Sequence, residues 1–252
     1  MLKTVIERSR LKELWESSQI ETEAETLATV PAELGHFALD ALYGRPVQAK
    51  VVLLLLQQPE DRHFRSCILI HGMGGTGKTV TAVVAVQDKA VRLRYCSIYW
   101  LAVGADAVDE RIKQLQAVMY KSITGKSVKA EEKDEQEWQQ ALVQAMGDRM
   151  RALVVLDDPW SPEQVRLLNP IDSSHTTHRL LVTTRVRDLV PLATRVELPL
   201  MGNDEAVAML LDLAGVEQEG YTKERQGTAW PPKAAYAIAT ECGLLPITLT
   251  IA

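Results

Sequence analysis

Gly72-Met73-Gly74-Gly75-Thr76-Gly77-Lys78-Thr79 satisfies the pattern G-x-x-x-x-G-K-[ST], and each residue type in it suits the handling of a polyanion. Glycines permit backbone conformations closed to other residues and let N–H groups approach phosphate oxygens closely. Lys78 brings an ammonium within reach of β- and γ-phosphates. Thr79 offers a hydroxyl to Mg²⁺, an ion that takes one or two protein oxygens beside the phosphates of its nucleotide. A glycine-rich surface turn is the alternative. Against it stand the apolar run Cys67-Ile68-Leu69-Ile70 immediately before and a helical pattern after, whose first turn would point its positive dipole end at the phosphates.

Leu153-Val154-Val155-Leu156-Asp157-Asp158 is an apolar run closing on two acids, the form of a buried central strand with its carboxyl end at a nucleotide, and it looks like a Walker B strand. Asp157 is the expected Mg²⁺ ligand, directly or through a water. Asp158 is placed to orient or deprotonate an attacking water. For the acids alone, an N-cap ahead of Ser161-Pro162-Glu163 is the other reading. A further run, Arg179-Leu180-Leu181-Val182, ends in Thr183-Thr184-Arg185 and brings hydroxyls and a guanidinium to the same edge. Arg185 can distinguish ATP from ADP, because only ATP supplies terminal oxygens for a bidentate pair; a surface ion pair is its alternative. The expected catalytic residues are thus Lys78, Asp158 and Arg185, and the expected metal ligands Thr79 and Asp157.

These groups need a frame that brings separated segments to one edge. From residue 66 onward short β-rich runs alternate with longer helical ones, which predicts a parallel sheet covered by helices on both faces. The expected strands are Ser66 to His71, Ser97 to Val103, Ala152 to Asp157, Arg179 to Thr184 and Thr194 to Leu198. Pro46 to Gln58 reads as a helix with Pro46 in its first turn and Val47, Val51, Leu54 and Leu55 on one face. Upstream, Leu2, Val5, Ile6, Leu11, Leu14 and Trp15 recur at helical spacing; this amphipathic helix needs a partner, either the rest of the chain or another protein. Ser17 to Thr29 reads as a linker. Lys129 to Trp138 reads as a solvated loop and helix face without chemistry.

Composition narrows the field. At 252 residues with 46% apolar content, the chain has room for one large α/β domain and the beginning of a second. The expected division is 1–30 for the N-terminal helix and linker, 31–200 for the nucleotide-binding domain and 201–252 for an incomplete helical unit. A net charge of −5 argues against a general nucleic-acid partner. Cys67, Cys96 and Cys242 lack the spacing of a disulfide framework or zinc site and read as buried thiols. No secretory signal is visible, and Val51 to Leu56 is too short to span a bilayer, so a cytoplasmic setting is expected.

In this order the motifs resemble the NB-ARC family of STAND nucleotide switches, found in plant-type disease-resistance receptors and the animal apoptosome adaptor. Tyr43-Gly44-Arg45 is similar to the family's adenine-side element, with Gly44 and Arg45 the implied contacts. Ile98 to Val103 is similar to its tryptophan-bearing strand, Leu153 to Trp160 to its Leu-Asp-Asp-x-Trp Walker B, and Arg179 to Arg185 to its Thr-Thr-Arg strand end. Asn203 to Leu211 fits the helix opening the second subdomain. Cys242-Gly243-Leu244-Leu245-Pro246-Ile247 is similar to the Gly-Leu-Pro-Leu segment, which implies Pro246 against the adenine ring; by residue type alone, Gly243 and Pro246 equally suit the end of a helix over 232–241. The implied nucleotide contacts are Gly72, Met73, Gly74, Gly75, Thr76, Gly77, Lys78, Thr79, Val80, Arg185 and Pro246, Val80 standing where the family often has a second threonine. The resemblance implies a P-loop NTPase sheet with flanking helices followed by the start of a small helical subdomain. It further implies ADP or ATP with Mg²⁺, slow hydrolysis, a closed ADP form, and an ATP form that recruits partners and allows oligomerisation in defence or cell-death-like signalling. The sequence stops soon after Pro246, short of the family's winged-helix subdomain and its ADP-sensing histidine, which places switching in question. A conventional P-loop ATPase and an interaction module with a structural nucleotide are the rival expectations.

Overall fold

Segments rich in β-branched, leucine and aromatic side chains form β1 (Cys67–His71), β2 (Ser97–Ala102), β3 (Ala152–Asp157) and β4 (Arg179–Thr184), and the shorter Thr-Arg-Val-Glu forms β5 (Thr194–Glu197), each within a residue of its expected bounds. The computed structural model describes residues 28–31, 34, 46–58, 66–147, 149–172, 177–216 and 231–251. The expected helix over Leu2 to Trp15, most of the linker, and the Tyr43-Gly44-Arg45 element lie outside those residues. All strand pairs are parallel, in the order β2-β3-β4-β1-β5. The register sets Asp157 beside Thr183, and Thr184 beside His71, so the carboxyl ends of β3, β4 and β1 share one edge.

Strands covered on both faces can be apolar at every position, and β4 is buried throughout. Alternate side chains feed two cores. Leu69, Leu101, Val154, Leu156 and Val182 face one layer of helices, α4 (Asp109–Thr124), α5 (Glu135–Gly147) and α6 (Pro162–Leu168). Ile68, Ile70, Leu153, Val155 and Leu181 face the other, α1 (Pro46–Gln57), α2 (Lys78–Gln87) and α3 (Lys89–Arg94). A third apolar cluster, including Met201, Val207, Ala235 and Leu249, joins α7 (Asn203–Leu213), α8 (Lys233–Glu241) and α9 (Pro246–Leu249) into a small helical unit.

Four local readings change. The buried stripe of α1 is Ala49, Val52 and Leu56, whereas Val51 and Leu54 are 41% and 56% exposed. With apolar residues on nearly every side of α1, spacing does not select the inward face. Ala28, in the expected linker, is buried, its N–H donating to Arg92 O at 3.0 Å and its carbonyl accepting from Arg92 Nε at 2.9 Å. The charged run ending at Trp138 carries a core residue: the indole is fully buried, lies edge-on to Tyr120 with centroids 5.6 Å apart, and donates to Ala130 O at 2.9 Å. Among the three free cysteines, Cys96 is exposed and the other two are partly so; burial pushes the Cys67 thiol up to about 12. No helix among the described residues is long and apolar enough to cross a membrane.

Candidate functional site

The loop between β1 and α2 curls because its glycines occupy positions a side chain would spoil. A Cβ at Gly72 would lie 2.3 Å from the Leu198 carbonyl oxygen, inside any tolerable contact. Gly77, at φ 92°, turns the chain into α2, whose first residue is Lys78. The Lys78 ammonium bends back along the inside of the curl and donates to Gly72 O at 3.0 Å and Met73 O at 2.7 Å. Thr76 Oγ1 also donates to Met73 O, at 2.9 Å. Burial lowers the Lys78 pKa from its ordinary value; Asp158 and Asp157 oppose the shift, and Arg185 adds to it.

Opposite the loop, Asp157 Oδ1 accepts from Thr79 Oγ1 at 2.8 Å and from Thr183 Oγ1. Burial raises the Asp157 pKa, and the two hydroxyl bonds oppose it. Thr79 and Asp157 are hard oxygen donors a hydrogen bond apart, and among the described residues no group of three or more His, Cys, Asp or Glu side chains forms a cage. Such a sparse oxygen pair fits Mg²⁺, which keeps most of its coordination for phosphates and water, better than it fits a metal needing a full protein cage.

Asp158 is not a helix cap. Ser161 holds that place on α6, its Oγ accepting from Gln164 N at 3.1 Å. Asp158 instead sits at φ 56°, a left-handed conformation that costs a side-chain-bearing residue about 1–2 kcal/mol. Its N–H donates to Thr183 O at 2.9 Å, its Oδ2 accepts from Trp160 Nε1 at 3.2 Å, and its Oδ1 lies 3.8 Å from Arg185 Nε. The ion-pair reading of Arg185 thus describes what is seen, and the pair lies at the edge that also carries Lys78 and Asp157.

These groups line a cavity of about 510 Å³, within the roughly 300–1,000 Å³ of small-molecule sites. The sheet edge supplies Gly74, Gly75, Gly77 and Lys78 to Val80, with Asp157, Asp158, Thr183 and Arg185. The helical unit closes the other side with Met209 and Leu213 of α7, then Pro246, Ile247 and Thr250. Of the expected residues, Gly72, Met73 and Thr76 shape the loop without lining the cavity, and Gly44 and Arg45 lie outside the described residues. Thr183, Met209, Leu213, Ile247 and Thr250 are additions to the expected set. Thr183 had a sequence signal as a hydroxyl at a strand end, and Ile247 lay within the segment similar to Gly-Leu-Pro-Leu; the others take their places from packing of the helical unit.

Among the described residues, that unit meets the loop at Gly75. Ile247 N donates to Gly75 O at 3.4 Å, and a Cβ at Gly75, where φ is 80°, would lie 2.5 Å from Ile247 Cγ2. Gly75→Ala should therefore lower stability by about 1–2 kcal/mol from the backbone alone, with a further steric loss. In urea melts, Ile247→Ala should recover the steric part and leave the backbone part. No recovery, or no loss to recover, would contradict the contact, and full recovery would contradict the backbone cost.

Residues 48–219 match the NB-ARC domain. Disease resistance protein RGA2 of Solanum bulbocastanum is 31% identical over 129 residues, which cover 51% of this chain and 13% of that protein. Apoptotic protease-activating factor 1 of Danio rerio is 24% identical over 222 residues, 82% of this chain and 16% of that protein. The chain thus spans under a fifth of the length of either relative. Among solved structures, C. elegans PCH-2 has the same fold, with a TM-score of 0.54 and 18% identity, covering 89% of this chain and 66% of that one. With its parallel sheet, its phosphate-loop sequence and a family match across more than half its length, the chain belongs to the NB-ARC domain family.

Proposed function

We propose that the chain binds ADP and ATP with Mg²⁺ and acts as a switch governed by which of them it holds, hydrolysing ATP slowly. The observation that carries this reading is the meeting of Lys78, the Thr79–Asp157 pair and Arg185 around one cavity large enough for a nucleotide. Loop amides and the Lys78 ammonium would neutralise the β- and γ-phosphates, Lys78 exchanging its two carbonyl partners for phosphate oxygens. Thr79 and Asp157 would hold Mg²⁺, which would supply further neutralisation of phosphate charge. Asp158 orients or deprotonates the attacking water, and Arg185 reads the terminal phosphate. Pro246 packs on the adenine, with Met209, Leu213 and Ile247 completing an apolar wall on the same side. The nucleotide then bridges the sheet domain, to about residue 200, and the helical unit beyond it. A cytoplasmic role in defence or cell-death-like signalling, with self-association in the ATP state and a protein partner at the N-terminal helix, extends the reading to the whole protein.

The test is the nucleotide retained through purification, identified by chromatography after denaturation. Retained ADP is the expected result, and Asp158→Asn should slow hydrolysis more than it weakens ATP affinity. A protein that emerges empty and turns ATP over steadily would replace the switch with a conventional ATPase.

A further inference from the structure

We propose that Trp160 is a positioning residue for Arg185: its ring carries the guanidinium in the orientation that faces the phosphate loop, and so sets how well the site separates a triphosphate from a diphosphate. This rests on the nucleotide reading above and assigns within it a residue whose type that reading leaves unused.

An arginine side chain that is half exposed loses rotamer freedom when it is held in one place, so something must hold it. Three contacts do. Arg185 Cζ lies 5.0 Å from the centroid of the Trp160 ring, a cation–π distance. Arg185 Nε lies 3.8 Å from Asp158 Oδ1. Its Nη1 runs so close to the loop that a Cβ at Gly74 would lie only 3.1 Å away. With one face on the indole and Nε toward Asp158, the guanidinium presents Nη1 to the loop.

Trp160 is itself fixed, and not by the core. Trp160 is 40% exposed, so burial does not explain a residue of this size here. Its Nε1 donates to Asp158 Oδ2 at 3.2 Å and its backbone N–H to Gln164 Oε1 at 2.6 Å. The preceding Pro159 carbonyl accepts from Thr184 Oγ1 at 2.7 Å, which anchors this segment to the strand end that bears Arg185. Platform and guanidinium are thus tied to the same two strand ends, and Asp158 joins them.

The experiment compares affinities for ADP and for a non-hydrolysable ATP analogue, both with Mg²⁺, in the unaltered chain, Trp160→Leu, Trp160→Phe, Arg185→Ala and the Trp160→Leu/Arg185→Ala pair. Leucine keeps apolar bulk and removes the π face; phenylalanine keeps the face. Trp160→Leu should weaken the analogue about two- to fivefold and leave ADP unchanged, as an exposed cation–π contact would. Trp160→Phe should recover most of the loss, and Trp160→Leu should change nothing further once Arg185 is alanine. Equal weakening of both ligands, equal behaviour of Leu and Phe, or an undiminished effect without Arg185 would overturn the assignment. Binding of both ligands with a ratio unmoved by Trp160→Leu would overturn this inference alone, whereas no binding by the unaltered chain would overturn the nucleotide reading and this inference with it.

Discussion

Lys78→Ala should lower affinity for both ADP and ATP by about ten- to a hundredfold, the equivalent of one charge-assisted contact worth roughly 1.5–3 kcal/mol. Two losses combine. The ammonium no longer meets phosphate, and the Gly72 and Met73 carbonyls lose the donor that holds the curl of the loop from inside. The melting temperature should move much less than the affinity, because Lys78 is 8% exposed and its burial already disfavours the charged form. The sign of the pH dependence follows from the same burial. A lysine whose pKa is lowered in the folded protein loses its charge at a lower alkaline pH than a free one, so affinity should begin to fall earlier on the alkaline side than an ordinary lysine would dictate. Titration calorimetry at neutral and alkaline pH checks both points, and an unchanged dissociation constant in Lys78→Ala would remove the loop from the binding site.

Asp157→Asn should move affinity and stability in opposite directions. Asparagine keeps an oxygen where Oδ1 accepts from Thr79 and Thr183, so the local frame survives. What it removes is a buried negative charge. Because burial raises the folded pKa of Asp157, stability linked to its proton is fully present below the unfolded value and is lost as pH rises through the folded one. The fold therefore holds this group more comfortably neutral, and the permanently neutral amide should unfold at the same or a higher temperature than the parent without ligand. Affinity for nucleotide with Mg²⁺ should nonetheless fall to the level that the parent shows with EDTA, about tenfold or more for loss of one charged ligand. A variant that loses stability and keeps its Mg²⁺ dependence would mean that Asp157 is structural and the ion is held elsewhere.

Much of the frame was legible because the central strands β1, β3 and β4, covered on both faces, are written as nearly uninterrupted apolar runs, whereas the edge strand β5 reads Thr-Arg-Val-Glu and was legible mainly from its β-branched residues. The groups at the sheet edge were legible for a related reason: a loop that curls this tightly has few residue types to choose from. Where the apolar pattern lost its contrast, the reading failed. α1 is apolar on nearly every side, so nothing in its spacing singled out Ala49, Val52 and Leu56 as the inward stripe. Trp138 was hidden among glutamates and lysines, although a single tryptophan is enough to pin a helix to its neighbour. The far wall of the cavity was out of reach for another reason. Met209, Leu213 and Ile247 are ordinary apolar residues locally, and their places depend on how the helical unit seats against the loop.

The strand order has a mechanical consequence. The acid on β3 and the loop after β1 lie two strands apart with β4 between them, a span fixed by interstrand spacing at roughly 10 Å. Thr183, at the end of that intervening strand, spans the gap to Asp157. A sheet fully paired by backbone hydrogen bonds is too stiff to register the difference of one phosphate. On the nucleotide reading proposed above, that difference would be felt at the two flanks of the cavity, at the guanidinium of Arg185 on one side and where Ile247 abuts Gly75 on the other.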